Sequence, residues 1–294
     1  MTTLVCVVGN ARGSEVAWES LLHNVMEPLN ADLAILLDNQ HSCDFLENIA
    51  TYNWNFDEPK DWAFLFDEIC SEHNITNSWR ETANKTSYEG LWGGVIINGE
   101  NRKGSGAIAI LLRHMLLSHL DVLLQYDTII FTRSDHLYLA EHHILDRDNI
   151  FVPKGEDWWG ITDRHYVFPS AFCNDMLGVA IWLMKNHMNI IESISRHHNP
   201  EQLLKLYFED IGIYNKILRC KRCMVTVATE QDQTRWKRAT VPVPGYNNLF
   251  LKYPHEYFSH LPSALRVRQP KQKSTYDRTG RVFFRSGLRT SNLT

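Results

Sequence analysis

An α/β chain with a mostly parallel, twisted central sheet flanked by helices is the fold class that three observations predict. Short runs of β-branched and aliphatic residues recur at 4–8, 31–37 and 128–131. Stretches of helical periodicity separate them, the order expected of parallel strands joined by right-handed crossovers. Each run also ends abruptly in glycine or in polar and charged residues, the place where open α/β sheets gather ligands.

The elements follow in order. Residues 4–8 (Leu-Val-Cys-Val-Val) form a first strand, closed by Gly9-Asn10-Ala11-Arg12-Gly13. Ser14 caps a helix whose apolar positions are Val16, Ala17, Leu21, Leu22 and Val25. Residues 31–37 make a second strand that stops at Asp38-Asn39. The polar, aromatic-rich stretch 39–90 is expected to hold one helix near 62–71 and otherwise loop, and 93–97 a strand or turn. A long helix from Ser105 or Gly106 to about 125 presents Ile108, Leu111, Leu112, Met115, Leu116, Leu120, Leu123 and Leu124 at helical period. A strand at 128–131 and a short one at 150–152 follow, then a loop at 158–165 and a helix from Ser170 to about 193. Asn199-Pro200-Glu201-Gln202 is a helix start, with Asn as cap, Pro at the first position and Gln three residues after the cap. That helix is expected to reach about 219, and a last strand lies at 224–228. Residues 265–294 form a basic, peripheral tail. The halves 1–136 and 137–264 then make one catalytic-size domain, nucleotide-binding first and acceptor-binding second.

Composition narrows the class. The 294 residues carry a formal charge of −4 and are 44% hydrophobic, enough for a sizeable core. The near-neutral balance predicts no nucleic-acid partner. The absence of an uninterrupted apolar run of about 18 residues predicts no transmembrane segment. The N-terminus reads as a strand and lacks the basic region and cleavage site of a signal peptide, so a cytoplasmic location is expected. Six scattered cysteines are expected to be reduced thiols. Cys220-Lys221-Arg222-Cys223 is a lone C-x-x-C without the second pair a zinc site wants. The adjacent pairs His142-His143 and His197-His198 read as surface residues.

Four constellations carry chemistry. Arg133-Ser134-Asp135-His136 closes the 128–131 strand. The carboxylate suits a hard cation, with His136 as a second ligand and Arg133 for phosphate; the plain alternative is a strand-end salt bridge. Asp210 shares one side of a helical wheel with Leu203, Leu206, Tyr207, Tyr214 and Ile217, within about 60°. An acid in an apolar stripe is costly unless paired or used, which suits a general base. Its neighbour Glu209 turns towards the polar side. The loop Trp158-Trp159-Gly160-Ile161-Thr162-Asp163-Arg164-His165 sets aromatic faces beside hydrogen-bonding groups, as a sugar wants, or else buries a Trp pair in the core. Gly9, Arg12 and Gly13 after the first strand, with Gly104-Ser105-Gly106, let backbone N–H groups approach a phosphate, or form plain turns.

Taken together these residues resemble the GT-A class of nucleotide-sugar glycosyltransferases over about residues 3–260. Ser134-Asp135-His136 stands where that class has D-x-D, Phe208-Glu209-Asp210 matches its x-E-D, and His255 or His260 its late histidine. The resemblance implies a GT-A-like fold and transfer of a sugar from a UDP-, GDP- or TDP-sugar to a hydroxyl of a glycan acceptor. It implies Asp210 as base with Glu209 beside it; Gly9, Arg12, Asp38, Arg133 and Ser134 at the nucleotide; and Trp158, Trp159, Gly160, Asp163, Arg164 and His165 at the sugars. It also implies Mn2+ or Mg2+ on Asp135, His136 and His255. With one acid where D-x-D has two, arginines replace the metal as a second possibility. The competing expectations are a non-catalytic nucleotide-sugar-binding protein and a phosphohydrolase or nucleotidyltransferase. The last would need two or three clustered carboxylates.

Overall fold

The computed structural model describes residues 2–41, 43–85, 90–143, 146, 148–193, 199–234 and 241–260, and the dipeptides 275–276 and 282–283. The chain divides into two units, Met1–Pro254 and His255–Thr294. In the second, β14 (Thr275–Tyr276) pairs with β15 (Val282–Phe283). The remaining residues of the expected basic tail, and His197-His198, lie outside the described residues.

In the first unit the expected opening motif forms: β1 (Thr3–Gly9), α1 (Ser14–Leu21) running on through a π turn (Leu22–Met26) and α2 (Glu27–Leu29), then β2 (Asp32–Asp38). A short α3 (Asp44–Ile49) leads into β3 (Tyr52–Phe56), a strand in a stretch expected to be loop. Its sequence Tyr-Asn-Trp-Asn-Phe alternates, with Phe56 buried and the two asparagines exposed. Helices α4 (Ala63–Glu72) and α5 (Trp79–Lys85) and a tight hairpin of β4 (Ile96–Ile97) and β5 (Glu100–Asn101) precede α6 (Gly106–Leu116). The long helix expected there tightens into a 3-10 turn at Leu117–His119 before α7 (Leu120–Leu123). The segment Gly106–Leu123 has a mean hydropathy of 1.4, long and apolar enough by composition to cross a membrane. Its Ala107, Ile110, Leu111, Leu116 and Leu123 belong to the main core.

The motif strand β6 (Thr128–Thr132) follows, then β7 (His136–Tyr138), β8 (Ile150–Pro153) and β9 (Tyr166–Pro169). After a 3-10 turn, α8 (Cys173–Leu177) and α9 (Val179–Ser193) are separated at Gly178, where an added Cβ would lie 2.7 Å from the Asn174 carbonyl oxygen. Helix α10 (Pro200–Asp210) is capped by Asn199, whose side chain accepts from the Gln202 N–H at 2.7 Å. It ends nine residues earlier than expected. Gly212, at φ +79°, turns the chain out of the helix and into β10 (Ile217–Cys220). Strands β11 (Met224–Thr229), β12 (Val241–Pro242) and β13 (Leu249–Leu251) complete the unit, and α11 (Pro254–His260) begins at its last residue.

Seven strands form the central sheet in the order β10-β8-β9-β6-β1-β2-β3. β1, β2, β3 and β6 are parallel neighbours, β10 and β8 are parallel, and β9 alone runs against its neighbours. Alternation along β1 sends Leu4, Cys6 and Val8 to one face and Val5 and Val7 to the other. The first face packs under Phe66, Trp79, Trp92 and Leu111; the second packs under Leu21, Val25 and Leu46. Both faces are covered, so the strands read as continuous apolar runs. The α/β class is therefore the observed architecture. A smaller antiparallel sheet, β12-β13-β11-β7, starts one residue after Asp135.

Candidate functional site

Two adjacent parallel strands, β1 and β6, end side by side, with Val7 opposite Thr132. Their carboxyl ends therefore deliver Gly9-Asn10-Ala11-Arg12-Gly13 and Arg133-Ser134-Asp135 to one place. Ser134 stitches the two loops: its Oγ donates to the Asn10 carbonyl at 2.8 Å and accepts from the Arg12 N–H at 3.0 Å. Gly13 sits at φ +88°, and a Cβ there would meet the Asp135 Cα at 3.0 Å. The Gly13 N–H donates to Asp232 Oδ2 at 3.1 Å, which also accepts from the Thr229 N–H at 2.7 Å.

Beside this seam lies a cleft of about 810 Å³ including its open mouth. Gly9, Arg12, Arg133, Ser134 and Asp135 line it, with Asp163, Lys252, Glu58 and Asn10. Arg133 holds Asp135 in a two-pronged pair, Nε to Oδ1 at 2.9 Å and Nη2 to Oδ2 at 2.6 Å. Burial pushes the Asp135 carboxyl up, but the Arg133 charge and hydrogen bonds, with Lys252 and Arg12, hold it below its usual range. Burial lowers Arg12, and the nearby Arg133 charge adds to this against the pull of Asp135. Lys252 is pushed down to about 8 by burial, then by Arg133 and Arg164. Crowded cations at the carboxyl edge of a sheet make a site for an anion.

The donor set at Asp135 does not fit a divalent cation. Both carboxylate oxygens are engaged by a guanidinium, and the other nearby charges are Arg12 and Lys252. His136 does not join it: it is 1% exposed, does not line the cleft, and its Nδ1 pairs with Thr132 Oγ1 at 3.0 Å. His255 belongs to the second unit. Among the described residues one group has metal-like spacing, Asp38, His41 and Glu58. Asp38 is buried at the end of β2, and its oxygens accept from the Glu58 N–H at 2.8 Å and pair with His41 Nδ1 at 2.6 Å. Asn10 donates to Glu58 Oε2 at 3.3 Å. Asp38 thus acts on the cleft by fixing Glu58, which lines it.

The 158–165 loop divides its residues. Trp158 and Trp159 face solvent, Asp163 lines the cleft, and Arg164 and His165 enter the core. Arg164 donates to Thr226 Oγ1 at 2.6 Å and lies 4.8 Å over the Tyr253 ring. Gly160 is pressed on α10: an added Cβ would stand 1.9 Å from the Glu201 carbonyl oxygen. This contact brings in a residue that sequence reasoning missed. The Glu201 carboxyl is pushed up to about 8 by burial first and then by the charge of Asp163. In the sequence Glu201 reads as an ordinary first-turn acid, and nothing there points to Asp163.

The metal-ligand and base roles that the resemblance implies would need Asp135 and Asp210 in one pocket, and they line different hollows. Because α10 stops at Asp210, this carboxylate is exposed at a helix end instead of lying in an apolar stripe. It accepts from Trp182 Nε1 at 2.6 Å, and Glu209 lies 3.8 Å from Lys205 Nζ. The two acids line a separate hollow with Trp182, Asn186 and Leu206. Tyr214 and Ile217, which seemed to continue the stripe, belong to a turn and to β10.

At the end of β6 three buried histidines form a polar knot around Thr132. Thr132 Oγ1 is shared by His136 Nδ1 at 3.0 Å, His165 Nδ1 at 3.1 Å and Tyr138 OH at 2.8 Å, and His165 Nε2 meets His142 Nε2 at 3.0 Å. His142, expected at the surface, is buried here. Burial first, then nearby cations and histidines, drives His136 and His165 well below 6.5; burial, then His143, brings His142 to about 4. An unfolded chain therefore takes up protons before the folded one. Stability is fully present above about pH 6.5 and is lost as pH falls, by about 2 kcal/mol at pH 5 for His142 alone. Scanning calorimetry from pH 7.5 to 5 should show a falling Tm, with a shallower fall in His142→Asn.

Comparison with known proteins finds no family model that matches this chain and no curated protein similar to it in sequence.

Proposed function

We propose that the cleft takes the diphosphate of a nucleotide-diphosphate sugar and that the protein is a GT-A-like glycosyltransferase acting on a hydroxyl of a glycan acceptor. The observation that carries this reading is the convergence of Arg12, Arg133 and Lys252 at the carboxyl ends of β1 and β6. In the reaction the acceptor oxygen bonds to the anomeric carbon as the bond from that carbon to the diphosphate oxygen breaks. The diphosphate leaves with the electron pair, and the two guanidinium groups and the ammonium offset its charge. The acceptor proton needs a carboxylate in the cleft. Asp163 fills that role better than Asp210, and Glu201 stands next to it. Glu58 and Asn10, fixed by Asp38, offer acceptors and a donor to the sugar or base.

A second reading, a nucleotide-sugar-binding protein without catalysis, is favoured by one feature. Asp135, the acid that matches the metal motif, is locked on Arg133. Turnover separates the two readings.

Three results are expected. In calorimetric titrations with UDP, GDP and TDP, at least one should bind with the chelator EDTA present, and Arg12→Ala should weaken it about tenfold or more; no binding, or binding only with added metal, would sink the proposal. That affinity should decline as pH rises through about 8, where Lys252 gives up its charge. Asp163→Asn should cut glycosyl transfer by about 10²-fold while leaving nucleotide affinity near wild type, and Asp210→Asn should leave turnover unchanged.

A further inference from the structure

The loop between β8 and β9 is strained where it carries its largest side chains. Glu156, Trp158 and Trp159 have φ of +57°, +43° and +68°, and Gly155 has +95°. Left-handed backbone at a bulky residue costs on the order of 1 kcal/mol and persists only where surrounding contacts impose it. Here they do. The Asp157 carboxylate accepts from Arg219 Nη1 at 2.7 Å and from the Thr162 N–H at 3.2 Å, and the Asp157 carbonyl accepts from the Gly160 N–H at 2.6 Å. Asn199 Nδ2 donates to the Trp158 carbonyl at 3.1 Å, and Glu201 accepts from the Ile161 N–H at 3.0 Å. This scaffold holds the indoles outwards. Trp158 is 49% and Trp159 71% exposed, with ring centroids 6.5 Å apart and planes at 61°.

With about half of Trp158 and more of Trp159 open to solvent on strained backbone, core burial accounts for little of the cost of this arrangement. The geometry points to a saccharide platform: we infer that Trp158 and Trp159 receive the C–H faces of a neutral glycan chain, the acceptor of the proposed transfer. Two tilted rings give two faces for successive sugar units. The electron-rich face of an indole attracts the polarised C–H bonds of a pyranose. Asp157, one-third exposed beside them, is paired with Arg219, so the edge of the platform is polar yet carries no net charge to favour an ionic partner. The position fits the cleft, because Asp163 follows Trp159 by four residues, which bounds their Cα separation at roughly 14 Å. This inference rests on the glycosyltransferase reading for the word acceptor, while the platform itself does not.

The test is calorimetric titration of the full chain with neutral gluco-, manno- and chito-oligosaccharides, beside the UDP, GDP and TDP titrations. At least one series should bind. Trp159→Ala should weaken it about tenfold or more, and Trp159→Phe should keep most of the affinity. Trp159→Gly should lose binding yet melt at the same or a higher temperature, since glycine relieves φ +68°. A lower Tm in Trp159→Gly would show that the ring serves the fold and would overturn the platform. So would saccharide affinity unchanged in both Trp158→Ala and Trp159→Ala. Nucleotide binding with no saccharide binding overturns the platform and spares the cleft. Saccharide binding that depends on Trp159, with no nucleotide binding, supports the platform and overturns the cleft. Co-sedimentation with phosphatidylcholine vesicles that depends on Trp159, without saccharide binding, assigns the rings to a membrane and rejects the inference.

Discussion

The two-pronged contact between Arg133 and Asp135 decides the character of the whole site. A carboxylate left alone at the end of a central strand would attract a cation. With both its oxygens held by one guanidinium, that carboxylate no longer offers a cation site, and Arg12 and Lys252 add their charge beside the pair. The pair also lies directly against the β1–α1 loop, because Gly13 brings its backbone almost onto Asp135. Removing Arg133 would strand the buried Asp135 carboxylate, which costs far more than the pair contributes. The same contact therefore fixes both the sign of the cleft and the path of its backbone.

The polar knot at the end of β6 is a second constraint of the same kind. Thr132 ends the central strand; two of the groups that share its hydroxyl, His136 and Tyr138, come from β7, and the third, His165, directly precedes β9. One hydroxyl thus ties the large sheet to the small one. A threonine offers one proton and two lone pairs, so three partners saturate it and set the tautomers of the neutral rings around it. The His165 Nε2–His142 Nε2 contact at 3.0 Å needs one nitrogen to accept, so at least one of that pair is uncharged.

The sheet was largely legible because buried parallel strands leave continuous apolar runs, and β1, β2 and β6 are such runs. The cleft residues that close those strands, Gly9, Arg12, Arg133, Ser134 and Asp135, were legible for the same reason. β3 was not, since an edge strand of alternating aromatics and asparagines carries no such run. The fate of Asp210 turned on one glycine. Leu203, Leu206, Tyr207, Tyr214 and Ile217 fit a single helical wheel, yet Gly212 ends the helix within that set. Glu201 and Lys252 were hidden for a different reason. Each lies far along the chain from Asp163: the β8–β9 loop folded over α10 brings Glu201 near, and the pairing of β13 with β11 brings Lys252. Charge in a sequence is visible residue by residue, whereas a field is a property of the assembled site.

The seam between Asn10, Arg12 and Ser134 has a kinetic consequence. Two hydrogen bonds and a glycine packed without clearance leave that wall no room to swing. Any opening that admits or releases a bulky ligand therefore falls to segments other than this seam and other than Glu58, which Asn10 and Asp38 tie to it. The dwell time of a bound ligand would then be set by those segments, and substitutions there would alter it without touching the stationary half.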